Sequence, residues 1–159
     1  MATGSQGASS LNFGTIQIAP AEADGSAGTF VDLSPFLKNA SLPISNTAGN
    51  STGANAATTQ TTGSKRPTIG PFAFELYRSP LAAGPDAILE PLALSGGDFY
   101  VRATRSASIV AAATNVVYEF KCNSLDGYDP LMIDADRTDT ASVAMTASLE
   151  GGYETDDGS

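Results

Sequence analysis

The side chains best able to do chemistry in this chain are carboxylates. Five lie close together: Asp126, Asp129, Asp134, Asp136 and Asp139. A hard cation takes several oxygens from one turn, and Asp134-Ala135-Asp136 has the opening spacing of a calcium loop. Such a loop needs glycine at its sixth position and glutamate at its twelfth, and these positions hold Asp139 and Met145. The cluster therefore reads as a solvated acidic loop between two strands, and no metal is expected. The chain has no His, no Trp and a single cysteine, Cys122. Ser–His and Cys–His nucleophile pairs, zinc fingers and disulfide frameworks are excluded on that count. Cys122 falls on the inward side of an alternating strand and reads as a small core residue. No glycine-rich stretch carries Gly-Lys-Ser/Thr ahead of a helix, so there is no phosphate loop.

One short run looks catalytic at first sight. Asp139-Thr140-Ala141-Ser142 resembles the Asp-Thr-Gly signature of aspartic proteases, in which two carboxylates share a proton. There is one copy only, and the residues before it, Asp136-Arg137-Thr138, are polar where that signature is apolar. Asp139 reads more simply as a turn residue opening a strand. No enzyme and no cofactor are expected.

The elements that carry these residues follow from composition and periodicity. The 159 residues are 42% hydrophobic and only 16% charged, one domain's worth of chain with enough apolar material for one core. Seventeen acids against eight bases give a net charge of −9. A nucleic-acid grip needs basic stripes that displace counterions, and this balance opposes it. Lys65-Arg66, the only adjacent basic pair, reads as an ion-pair partner for an acidic neighbouring surface. No run is long and apolar enough to cross a membrane as a helix, and the first residues have no basic and apolar leader, so synthesis in a cytoplasm with a free thiol is expected.

Residues 1–12 read as an N-terminal arm, 13–150 as one β-domain and 151–159 as an acidic tail. Strict alternation marks strands over 13–18, 29–33, 40–45, 69–78, 98–105, 116–122 and 141–150. Phe72, Phe74 and Leu76 share one face of the strand at 69–78, with Ala73, Glu75 and Tyr77 on the other. Each strand buries one face, the pattern of an antiparallel sandwich or barrel. A short helix follows Gly84-Pro85, with Ile88, Leu89 and Leu92 on its apolar side, Pro91 expected to kink or shorten it, and Gly96-Gly97 ending it. Residues 46–64 carry no charge, aromatic or bulky aliphatic side chain and cannot offset their own ordering entropy, so a loop or a long hairpin is expected there.

The order of these features resembles the major tail (tail tube) proteins of long, flexible-tailed bacteriophages. Val31-Asp32-Leu33-Ser34-Pro35-Phe36-Leu37 through Leu42-Pro43 is similar to their opening run. A Thr/Gly-rich polar loop follows, then Lys65-Arg66-Pro67, Ile69-Gly70 and an alternating strand. A short helix with an internal proline comes next, then Phe99-Tyr100-Val101-Arg102 through Ala113-Thr114-Asn115 to Tyr118. A last strand of small and apolar residues closes the likeness, which covers roughly residues 29–150.

The resemblance implies a mainly β subunit, an antiparallel sandwich or barrel with one flanking helix. Six copies would close into a ring, and rings would stack into a hollow virion tail tube assembled in the host bacterial cytoplasm. DNA would pass through the lumen unbound, and a tape-measure protein with tail terminator and tip proteins would be partners. Arm, loop and helix would bridge subunits through Leu11, Asn12, Asn50, Thr59, Thr62, Lys65, Arg66, Ile88 and Leu92. The acids assigned to the lumen are Glu75, Glu119, Asp126, Asp129, Asp134 and Asp136. Six copies at −9 each give −54 per ring, a bore that repels a polyanion. The alternative is a trimeric capsid decoration protein, whose small-residue N-terminal arm would match residues 1–12.

Overall fold

The computed structural model describes residues 14–46, 49–50, 61–62, 67–78, 84–133 and 141–159. In chain order these form β1 (Thr15–Pro20), β2 (Val31–Asp32), β3 (Leu37–Ser41), β4 (Ile44–Ser45), β5 (Gly49–Asn50), β6 (Thr61–Thr62), β7 (Thr68–Ile69) and β8 (Phe72–Tyr77). The helix α1 (Asp86–Ser95) follows, then β9 (Phe99–Thr104), β10 (Val117–Asp126) and β11 (Ser142–Asp156). Among the described residues no helix is long and apolar enough to cross a membrane.

Seven strands make one antiparallel sheet in the order β2-β1-β9-β10-β11-β8-β3. Its two edge strands are neighbours in sequence, separated only by residues 33–36 with a single 3-10 turn at Ser34–Phe36. Seven strands laid flat would put those edges roughly 29 Å apart. The five peptide steps from Asp32 to Leu37 reach about 17 Å at most. The sheet must therefore curl until its edges approach, and the result is a half-barrel against which the short helix α1 packs. The closing turn is stitched to β1: the Leu33 N–H donates to the Ile16 carbonyl at 3.0 Å, and the Ile16 N–H donates to Ser34 Oγ at 3.0 Å.

The inward faces are those the alternation predicts. Ile16, Ile18, Phe72, Phe74, Leu76, Phe99, Val101, Phe120, Cys122, Val143, Met145 and Ala147 are all buried. Phe72 stacks on Phe74 with centroids 4.9 Å apart and meets Phe120 edge-on at the same distance. Burying each such ring contributes about 1.5–3 kcal/mol. Leu89 and Leu92 of α1 join this core and close one end of the half-barrel.

Several expectations shift in detail. The strand expected over 69–78 is two strands, because Gly70 takes a left-handed φ of 93° that breaks the extended run. The strand expected over 40–45 splits into β3 and β4, leaving Ile44 more than half exposed. The helix continues past Pro91 to Ser95. Pro91 and Ala87 are both exposed, so the Ala87 carbonyl that loses its partner can bond water instead. Gly96 ends the helix at φ 66°, its N–H donating to the Leu92 carbonyl at 3.0 Å. Alternation over 116–122 places Val117 opposite Phe120 and Cys122, yet Val117 is fully buried as they are. The segment expected to be a tail from Gly151 is largely strand: β11 continues to Asp156, pairing Tyr153 with Phe120 and Asp156 with Val117. Its glycines hid an apolar anchor, since Tyr153 packs against the core.

Candidate assembly surfaces

The outward face of the sheet is a lattice of charges set by strand register. Asp32, Gln17, Arg102, Glu119 and Glu154 stand side by side on β2, β1, β9, β10 and β11. Arg102 Nε lies 2.9 Å from Glu119 Oε1, and its guanidinium sits over the Phe30 ring at 5.4 Å. Two strands away, Glu75 pairs with Lys38 at 3.2 Å and accepts from Ser142 Oγ at 3.1 Å. Lys121 bridges Asp98 at 3.5 Å and Glu150 at 3.3 Å. The bond to Glu150 raises the Lys121 ammonium above its usual range. Glu154 faces Glu119 directly across β10 and β11, so this row carries excess negative charge at its end.

At one end of the half-barrel three elements are tied together. Asp86, in the first turn of α1, pairs with Arg78 at 3.1 Å and accepts the Tyr128 hydroxyl. Arg78 also donates to the carbonyls of Asp129 and Pro130. Burial first, and the Asp86 bond second, push the Tyr128 hydroxyl well above its usual range. Beyond this anchor the chain leaves Leu131, Met132 and Ile133 exposed in succession, at 74%, 40% and 72%.

Among the described residues no helix covers the other end. A cleft of about 810 Å³ opens there between β1 and the free edge of β3. Its floor is made by Phe72, Phe120, Tyr118 and Tyr153, and its rim by Leu42 and Ile44. Gly14 and Arg105 also line it. Tyr118 and Tyr153 lie with centroids 5.7 Å apart.

The anticipated site residues scatter over these surfaces. Glu75 and Glu119 share the outward face, each beside a cation. Asp126 ends β10, and the Asp129 carboxylate accepts the Leu131 N–H at 2.9 Å. Ile88 is half-buried in a shallow groove between α1 and Val31, while Leu92 is 6% exposed and belongs to the chain's own core, leaving it little to offer a neighbour. Asn50 and Thr62 lie in β5 and β6, whose backbones pair Gly49 with Thr62 and Asn50 with Thr61. Leu11, Asn12, Thr59, Lys65, Arg66, Asp134, Asp136 and Asp139 lie outside the described residues. The Arg78–Asp86–Tyr128 node was not anticipated: its members are far apart in sequence and share no motif. Among the described residues no group of three or more Cys, Asp or Glu side chains is placed to hold a metal ion. Burial pushes the Cys122 thiol up to about 12, leaving it protonated and inert at neutral pH.

No protein-family model matches this chain, and no curated protein matches it. Among solved structures it is similar to a chain of the anti-feeding prophage (AFP) baseplate, determined by cryo-EM and six-fold symmetrised. That likeness covers 98% of this chain and 97% of the other, at 10% identity and a TM-score of 0.53. It is also similar to an Hcp protein seen in a crystal structure, over 92% of this chain and 99% of that one, at 12% identity and a TM-score of 0.48. The first likeness spans both chains nearly end to end and establishes a shared fold.

Proposed function

We propose that this chain is the tube-forming subunit of a phage-tail-like particle, six copies closing into a ring and rings stacking into a hollow tube. The observation that carries this reading is the end-to-end fold likeness to a chain of a six-fold symmetrised prophage baseplate. The surfaces suit the role. Among the described residues β2 and β3 are free sheet edges, and a free edge is a template for a strand of a neighbour. Head-to-tail contacts that close after six copies leave an open axis along which rings stack.

In this reading the outward sheet face lines the bore. Glu75, Glu119 and Glu154 lie on that face, with Asp126 and Asp129 at its rim beside the sequence positions of Asp134 and Asp136. A ring carries −54 in total from six copies at −9 each, which lets DNA pass without adhering. Lys65 and Arg66, with Leu11, Asn12, Asn50, Thr59 and Thr62, reach from arm and loop toward adjoining subunits. A tape-measure protein and terminator and tip proteins would set tube length and its ends, in the tail of a virion of the long, flexible kind. Native mass spectrometry tests the ring: six subunits of 16.2 kDa give a species of 97.2 kDa. A monomer at every concentration removes the reading, and a trimer transfers it to a capsid decoration protein.

A further inference from the structure

We infer that successive rings engage through an apolar plug: Leu131, Met132 and Ile133 of one copy seat in the cleft of the copy above it. This rests on the tube reading and adds the contact that gives stacking its direction. Plug and cleft lie at opposite ends of the same half-barrel. β10 connects them, with Tyr118 at the cleft and Asp126 leading into the 127–133 loop. Its ten residues run roughly 30 Å. A patch at one end that fits a recess at the opposite end makes a heterologous contact, and with the two surfaces facing away from each other it repeats along the axis.

The chemistry of the two surfaces matches. Leu131 and Ile133 are 74% and 72% exposed on a segment anchored behind them by Arg78 to the Asp129 and Pro130 carbonyls. Three consecutive exposed apolar residues held on a fixed base mark an interaction surface. The cleft offers the half-buried side chains of Tyr118, Tyr153 and Leu42 and the half-exposed Ile44. Charges agree as well. Asp126 and Asp129 precede the plug, while Arg105 lines the cleft as an exposed cation. The free edge of β3 also borders the cleft, so the plug's backbone has strand groups to meet. One such contact is small. A ring presents six at once, and linked contacts bind far more strongly than each alone.

The test uses the full chain and electron microscopy of its assemblies. Leu131→Asp with Ile133→Asp changes two exposed residues and leaves the core alone. The expected result is six-fold rings that persist, with the mean number of rings per stack falling about tenfold or more. Arg105→Asp and Asp126→Arg should each shorten the stacks, and combining the two reversals should restore them. Rings that stack to native length with the doubly substituted plug overturn the inference and leave the ring reading standing. Failure of the combined reversals to restore stacking also overturns it. Native protein that forms no rings at all removes the ring reading, and the plug with it.

Discussion

Leucine-to-alanine substitutions at two positions of α1 probe whether the helix closes the half-barrel as described. Leu89 is 1% exposed and packs with the sheet core, whereas Leu94, one and a half turns on, is 82% exposed. Alanine is at least as good a helix former as leucine, so neither change weakens the helix itself. At Leu89 the lost transfer energy and the cavity left behind together cost about 2–5 kcal/mol. At Leu94 the expected change is within about 0.5 kcal/mol. A domain of this kind has roughly 5–15 kcal/mol of stability, so the first variant loses a large share and the second almost none. Urea unfolding of dilute, unassembled subunits is the assay, because assembly would itself raise the apparent stability. With a slope of about 2 kcal/mol per molar, Leu89→Ala should lower the midpoint by roughly 1–2.5 M and leave the slope unchanged. Equal midpoints for the two variants, or a larger loss at Leu94, would show that the helix turns its other face to the sheet.

Three further outcomes follow from single contacts. Gly96→Ala puts a Cβ on a residue at φ 66° where nothing beyond its chain neighbours and its own helix backbone lies within 4 Å, so the cost is of backbone origin, about 1–2 kcal/mol in the same urea assay. Ser34→Ala removes the acceptor of the buried Ile16 N–H at the turn that joins the sheet edges, and should cost about 1–3 kcal/mol, whereas a change at an ordinary surface serine would be silent. The third outcome concerns Cys122, whose thiol has a pKa raised by burial from 9.0 to about 12. The unfolded chain releases this proton first, so stability should hold up to about pH 9 and then fall by about 1.4 kcal/mol per pH unit until about pH 12. The raised Tyr128 hydroxyl acts in the same direction. A thiol reagent at pH 8 should label Cys122 only after urea is added, and rapid labelling of the native chain would show that the residue is not buried.

The inward faces of β1, β8, β9 and β11 were legible because alternation with period two is a physical consequence of burying one side of a sheet. Phe72, Phe74 and Leu76 could be assigned to the core from spacing alone, as could Val143 and Met145. The continuation of β11 was hidden because Gly151 and Gly152 and the acids after them look like a solvated tail; only Tyr153 hinted at an anchor. Register is a long-range property, so nothing in the sequence indicated that Glu154 would face Glu119 or that Glu119 would stand beside Arg102. The Arg78–Asp86–Tyr128 node was invisible for the same reason. The exposed run at Leu131, Met132 and Ile133 is not legible in the sequence because three apolar residues in a loop look the same whether they are buried or not. Exposure, not composition, separates a core residue from a contact residue, and Leu92 and Leu131 differ in little else.

The most direct test of the tube reading is cryo-EM of the purified chain at concentrations that permit association. Six-fold end views with a central channel of constant width, and side views of stacked rings with acids on the channel wall, are the predicted result. A particle that stays single, shows three-fold points, or carries a positively charged channel would contradict it.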